Sequence, residues 1–388
     1  SSDVCSSDPL HPLYFKCMKK FRRTLFFALM ITAFFLAGLL VWIDLILPMH
    51  LPSPLSHVPL AVLVLALVLL AWHLLRIHVK KPSATRVFIT FGLGGLCIHL
   101  LCAALTKDAL IWIPGLLAHE QTICRWFGLI ALMLNFLGIH GALRGPLTKR
   151  VHIPLPPQLK NLNGFKIVQI SDLHIGPLIR RGYVAKAVNR IKKLKPDLIV
   201  LTGDIGDSDP AIFGNDAAPL QELSAPEGVF YIPGNHEYYW DAKAWIKVFS
   251  DLGLTPLINQ GTWIANKKIW LGGITDPDAG DFIPEHRPDA EKAMGTLKTD
   301  ATLQILLAHQ PKSCFDAEKA GFNLMLSGHT HGGQFFPFNL IVALVNPYSK
   351  GLNQHGKMWI YVNRGTGFWG PALRLGVPAE ITLIEFTA

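Results

Sequence analysis

The sequence predicts two architectures in series: an N-terminal all-α transmembrane bundle of about four helices, then an α/β domain of alternating strands and helices. Three observations carry this. Half of the 388 residues are apolar; before Leu143 they come in long, almost uncharged runs, and after it in short runs among ordinary polar sequence. Charge divides at the same place: 11 of the 36 Lys and Arg, but only 5 of the 27 Asp and Glu, lie in residues 1–143. Basic charge beside long apolar runs reads as membrane topology rather than a nucleic-acid footprint, so no nucleic-acid binding is expected. The six cysteines form no CxxC pair and only Cys314 lies in the polar half, which argues against a disulfide framework and a Cys-based zinc site.

The chain opens on SSDVCSSD, which matches a translated library adapter. Residues 1–17 are therefore read as a non-native or disordered leader, and MKKFRRTLFFALM, from Met18, has the basic-then-apolar form of a membrane-inserting start. Four runs approach or reach the roughly 20 residues that cross a bilayer: Thr24–Leu47, Val58–Ile77, Val87–Leu105 and Trp126–Leu143. They make 18–143 the transmembrane domain. Lys and Arg cluster before the first run, between the second and third, and after the fourth at Arg144, Lys149 and Arg150; the other connections are neutral or offset by Asp108 and Glu120. This alternation predicts a multi-pass protein of the inner or plasma membrane, with everything after Leu143 on the cytoplasmic side. His73, His99 and Asn135 sit singly in their spans and form no spaced relay, which favours helix packing over transport.

Residues 144–163, covering all but the last residue of the Pro-rich VHIPLPPQLKNLNG (151–164), read as a linker, and 164–388 as the α/β domain. FKIVQISDLH, DLIVLTGD, GVFYIPGNHE, KKIWLGGITD, TLQILLAHQP, NLMLSGHTH, KMWIYVNRG and AEITLIEF supply strands; RGYVAKAVNRIKKLK and DAKAWIKVFSDLG supply helices. Charged and imidazole residues recur just past the strand ends, where α/β sheets place their sites. In order they are Asp172-x-His174, Asp204 with Asp207, Asn235-His236, His309, and His329-Thr330-His331. A lone strand-end His is more often a surface or capping residue, but five ordered sets together read as a metal site.

The residue types fit that chemistry. Imidazole and carboxylate suit Mn²⁺, Fe²⁺ and Zn²⁺. Two such cations clamp a phosphoryl group and make a nucleophile of water. A carboxylate can bridge them, Asn is a neutral oxygen ligand, and an imidazole off the metals can protonate a leaving oxygen. The glycines of GHTHGGQ let backbone approach without a Cβ in the way. On an extended backbone His329 and His331 would point to the same side and reach two adjacent metals.

In this order and context the sets resemble the calcineurin-like metallophosphoesterase superfamily over about residues 164–388. GHTHGGQ with NRGTGFWGPALRLGVPAEITLIEF resembles its bacterial membrane-associated branch. The resemblance implies a four-layer (αββα) sandwich of two mixed sheets and a centre of two divalent metal ions, manganese first, with iron or zinc as alternatives. It implies that Asp172, His174 and His331 bind one metal, that Asp204 bridges, and that Asn235, His309 and His329 bind the other. His236 would be the acid beside the leaving group, with Asp207 holding it; Arg374 would contact substrate or make a structural salt bridge. The implied reaction is attack of a metal-bridging hydroxide on a diester or pyrophosphate, lipid-linked or nucleotide-type. A phosphomonoesterase or protein phosphatase is the alternative, and a non-catalytic scaffold a further one.

Two features bear on substrate. FFPFNLIVALVNPY (335–348) is too short to span and reads as core or as an apolar lid dipping into the membrane interface. IRRGYVAKAVNRIKKLK (179–195) reads as a solvated basic helix face or as an attraction for anionic headgroups. The expected partners are thus the lipid bilayer and a phosphate ester; oligomeric state has no signature in the sequence.

Overall fold

The computed structural model describes residues 32–52, a few positions between 58 and 69, and 83–387 apart from 267 and 296–302. The leader, and most of the span read at Val58–Ile77, lie outside the described residues. The described residues divide into two compact units, the second comprising 83–84 and the described part of 136–387.

Among the described residues of the first unit and of the helix that leaves it, three helices are long and apolar enough to cross a membrane: Thr32–Met49, Ala84–Leu110 and Leu117–Leu143. They correspond to the first, third and fourth predicted runs. Val41, Leu45, Ile46 and Met49 pack with Ala104 and Cys124. The Met49 carbonyl, at a helix end where no intrahelical donor remains, accepts from Arg125 Nε at 3.1 Å and Gln121 Nε2 at 3.2 Å. The charge offset seen in this connection is an ion-pair cluster, with Lys107 Nζ 2.6 Å from Asp108 and 3.4 Å from Glu120.

In the second unit the described residues form twelve strands in two six-stranded mixed sheets. One has the order β1 (Leu147–Pro154), β12 (Glu380–Thr387), β2 (Lys166–Ile170), β3 (Leu198–Thr202), β4 (Val229–Ile232), β5 (Thr255–Pro256). The other has the order β10 (Gly351–His355), β11 (Met358–Val362), β9 (Leu324–Ser327), β8 (Leu303–Leu307), β7 (Ile269–Gly273), β6 (Gln260–Ile264). Strands β2, β3 and β4 run parallel, as do β7, β8, β9 and β11. Their near-continuous Val, Ile and Leu follow from burial on both faces.

The core between the sheets joins Ile167, Leu198, Val200 and Ile232 to Leu271, Ile305, Leu307 and Leu326. Outside the first sheet the helix Arg181–Lys192 buries Val184, Ala187, Val188 and Ile191, the spacing of one helical face. The helix Ala242–Asp251, capped by the Asp241 carboxylate accepting Ala244 N–H at 3.0 Å, buries Trp245 and Phe249. Outside the second sheet, Ala293, Ala317 and Phe322 cover Leu306, Met325 and Ile360. This is the four-layer order of the implied sandwich.

Two local readings change. Residues 147–154, inside the segment read as a linker, form β1, paired in parallel with β12 from Leu147↔Glu380 to Pro154↔Thr387. The prolines hid it, but Pro154 ends an edge strand, where a missing N–H costs little. Leu159 and Leu162 beyond it are buried in the inter-sheet core. In the 335–348 stretch, Phe338–Val345 is a helix with no buried residue, so it is not core.

Candidate metal centre

The parallel strands of both sheets deliver their C-terminal ends to one place. Gln169 at the end of β2 ties the sheets together, its Nε2 donating to the Ser327 carbonyl of β9 at 2.9 Å. Past these ends the chain turns sharply. Eleven described non-glycine residues have positive φ, and five of them are Asp172, His174, Asp204, His329 and His331. That conformation costs an L-residue roughly 1–2 kcal/mol, so the surroundings must impose it. They do so by interlocking the loops. Asp172 N–H donates to Gly203 O and His174 N–H to Asp204 O, both at 2.9 Å. Both Asp172 carboxylate oxygens accept the His329 N–H, at 2.9 and 3.0 Å.

The glycines follow from this close approach. A Cβ on Gly328 would lie 1.9 Å from Ser171 Oγ and 2.3 Å from Asp172 Oδ2; one on Gly234 would lie 2.3 Å from Asp204 Oδ1. His329 and His331 are not on an extended backbone. Thr330 is right-handed helical, with φ −77° and ψ −18°, between two left-handed histidines. A tight turn, not strand alternation, directs the two rings.

The predicted ligands fall into groups whose donor atoms lie within 4.8 Å of one another: Asp172, His174 and His331; and Asp204, His309 and His329. A third group, His174, Asp207 and His236, adjoins the first through His174. His174 Nε2 faces His331 Nε2 at 2.9 Å, and His309 Nε2 lies 3.0 Å from Asp204 Oδ2. Asn235 Oδ1 is buried without a hydrogen-bond partner, while His174 Nδ1 and His309 Nε2 face the Asp207 and Asp204 carboxylates at 3.3 and 3.0 Å. His309 Nδ1 lies 2.7 Å from the Thr202 carbonyl. That bond turns Nε2 toward Asp204, the usual bracing of a metal-ligating histidine; burial would lower the imidazole, but Asp204 outweighs it and raises His309 well above the usual histidine range. Burial, with the His309 charge, pushes His329 down to about 3, and burial with the Arg374 guanidinium pushes His331 well below the usual histidine range. Neutral imidazole is the form that ligates. Burial would raise Asp204, but His309 and His236 outweigh it and hold the carboxyl well below its usual range. The unpartnered Asn235 oxygen, the neutral imidazoles of His329 and His331 and the ionised Asp204 carboxylate fit divalent-metal binding.

His236 stands beside these groups. Its Nδ1 is 2.5 Å from Asp207 Oδ1, which also accepts from Trp240 Nε1 at 3.3 Å. Burial alone would lower the His236 imidazole; Asp207 and Asp204 reverse this and raise it to about 9. Tyr239 and Trp369, both half-exposed, set their rings 5.3 and 5.5 Å from it.

Two residues complete the site that strand-end reasoning did not assign or misplaced. Glu237 is fully buried, and its carboxylate accepts the N–H groups of Asp204, Ile205, Gly206 and Gly234 at 2.6 to 3.0 Å. It stitches one ligand loop to the next. The signal was its place three residues after Gly234, at the start of the helix Asn235–Trp240. Arg374 is 3% exposed. Its guanidinium donates to the carbonyls of Arg364, His331 and Gly367, and Nη2 lies 2.9 Å from His331 Nδ1. No carboxylate is among these partners, so of the two expected roles, substrate contact or salt bridge, the salt bridge is not formed; the side chain braces His331.

The profile of the calcineurin-like phosphoesterases matches residues 165–333. A bovine transmembrane protein with metallophosphoesterase domain is 35% identical over 273 residues, 67% of this chain and 61% of that protein. A Helicobacter pylori metallophosphoesterase is 35% identical over 67% of this chain and 69% of its own length. The Bacillus subtilis metallophosphoesterase YkuE is 34% identical over 57% and 78%. The matched part thus spans about three-fifths of the first curated relatives. Among solved structures, a 5'-nucleotidase precursor from Thermus thermophilus aligns over 57% of this chain and 54% of that one, with 14% identity and a TM-score of 0.37.

Proposed function

Because the chain belongs to the calcineurin-like phosphoesterase family, we propose that it is a membrane-anchored phosphohydrolase with a two-metal centre, acting on a phosphodiester or pyrophosphate. The observation that carries this reading is the pair of His/Asp groups flanked by the His236–Asp207 pair. Asp172, His174 and His331 would hold one ion and Asn235, His309 and His329 the other, with Asp204 shared. When bound, such ions polarise a phosphoryl oxygen and make water a better nucleophile. The chain's own part is positional and acid–base. Asp207 holds the His236 Nδ1 proton and turns Nε2 inward, 3.9 Å from Asp204 Oδ2, where it would protonate the leaving oxygen. A scaffold that had given up catalysis would not need this pair.

The apolar helices support membrane association, and the loop charges support a multi-pass arrangement with the metal centre on the cytoplasmic side. A lipid-linked phosphate ester is the substrate class that suits such a placement. The test is Mn²⁺-dependent hydrolysis of an aryl phosphodiester against the matched monoester by the purified full-length chain. Diester preference abolished by chelator is the expected result. Activity on the monoester alone would move the chain to the phosphatases, and loss of neither activity in His236→Asn would overturn the acid role. A periplasm-dependent reporter active at Ala388 would overturn the orientation.

A further inference from the structure

The residues Phe335–Pro347 include no charge. Their helix, Phe338–Val345, has no buried residue; Leu340, Leu344 and Val345 are 56%, 85% and 73% exposed, with Ile341 also exposed. At 100° per residue the exposed positions from Leu340 to Val345 cover roughly 200° of the circumference. A protein partner takes up one stripe of a helix, whereas acyl chains accept a broad apolar surface. Phe336 and Trp369 extend the same exposed apolar set.

This surface is tied to the end of a spanning helix. The backbone of Phe335 bridges to Leu375 and Gly376. The segment Leu373–Leu375 presses on the last two turns of the helix that ends at Leu143. Arg374 N–H donates to the Gly138 carbonyl at 2.8 Å. A Cβ on Gly138 would lie 3.0 Å from Leu373 Cδ2, and one on Gly141 2.3 Å from Arg374 O. Arg190 also donates to the Pro146 carbonyl, which sets a cation beside the chain just past that helix. The surface leads equally to the metal centre. Gln334 Oε1 accepts the Trp369 N–H at 2.8 Å and its Nε2 donates to the Trp369 carbonyl at 2.9 Å, and the Trp369 ring edges His236.

We infer that the helix Phe338–Val345 is seated in the acyl–headgroup boundary of the bilayer beside the end of the Leu117–Leu143 span, and that with Trp369 it forms an apolar approach bringing an acyl-bearing phosphate ester to His236. The seating needs only the membrane anchor; the approach rests on the phosphohydrolase reading above. An uncharged helix in the interface plane gains by burying its apolar face there, and its tie to the span holds it at that depth.

The seating is tested on the full-length chain in nanodiscs of phosphatidylglycerol and phosphatidylcholine, the latter carrying a photoactivatable acyl group. Adducts mapped to 338–345 as well as to the spans are expected. Adducts on the spans alone would overturn the seating, and so would protein–protein cross-links from this helix in place of lipid adducts. The double variant Leu340→Asp, Val345→Asp should lose those adducts and lower kcat/KM tenfold or more for a diacyl phosphodiester, while hydrolysis of a small aryl diester is unchanged. Equal losses on both substrates would overturn the approach. Wild-type chain that hydrolyses neither ester would defeat the phosphohydrolase reading, while the lipid adducts would still decide the seating.

Discussion

Asp207 Oδ1 and His236 Nδ1 lie 2.5 Å apart, and the contact orients a ring that two candidate metal-ligand groups border. On the proposed mechanism His236→Asn removes the proton donor and lowers kcat by about 10²–10⁴. Asp207→Asn, which keeps the ring but not its anion, loses less. Metal content measured on the same samples should stay at the wild-type value in both; a parallel fall in bound metal would make the pair a ligand assembly instead.

The ligand groups should separate under substitution. Asp172→Asn or His331→Ala should deplete one ion, and His309→Ala or His329→Ala the other, read as metal-to-protein ratio by elemental analysis. Removing both with chelator should lower Tm by about 10–20 °C, the size expected when two ligands, each held at 100 times its Kd, are withdrawn from a domain of this length. Mn²⁺ should restore it. An unchanged Tm would mean that the carboxylates and imidazoles balance one another without ions.

Glu237→Ala should be costly far from any contact with substrate. Four buried N–H groups would lose their acceptor together, a loss of roughly 3–5 kcal/mol in unfolding free energy at 1–3 kcal/mol per buried unsatisfied group, allowing for relaxation. Chemical denaturation of Glu237→Ala against Glu237→Gln tests this, since the amide keeps one acceptor oxygen.

Gly328→Ala should lose metal before it loses fold. The added methyl would collide with Asp172 Oδ2 and Ser171 Oγ, both at the end of β2 rather than in the core. Circular dichroism should be near wild type while bound metal falls at least several-fold.

Cys314 is fully buried, and burial pushes its thiol up to about 11. A folded-state pKa above the unfolded value near 9 means that the thiol's contribution is intact below pH 9 and is lost as pH rises towards 11. Mass-mapped alkylation at pH 9 should leave Cys314 unmodified in the folded chain and label it after denaturation.

The cluster of candidate ligands was legible because each follows an apolar strand and differs sharply in chemistry from it. Asp172, Asp204, Asn235, His309 and His329 all sit within three residues of a strand end. What escaped depends on partners distant in sequence. The left-handed turn at His329 and His331 is imposed by loops more than 150 residues earlier, so local pattern suggests an extended path. β1 is decided by β12, at the far end of the chain, and its prolines argue locally against a strand. Arg374 carries the composition of a surface cation, yet the loops around His331 enclose it. Glu237 was hidden by adjacency, since the neighbouring His236 and Asn235 account for the motif by themselves.

Only Arg144, Gly145 and Pro146 separate the helix ending at Leu143 from β1, a connection that reaches about 10 Å when fully extended. On the membrane-anchored reading such a tether has no slack, and the enzyme would sample its substrate in two dimensions. Turnover would then follow the mole fraction of substrate in the leaflet and would fall when inert lipid is added at constant bulk concentration, a surface-dilution behaviour foreign to an enzyme that meets its substrate in water.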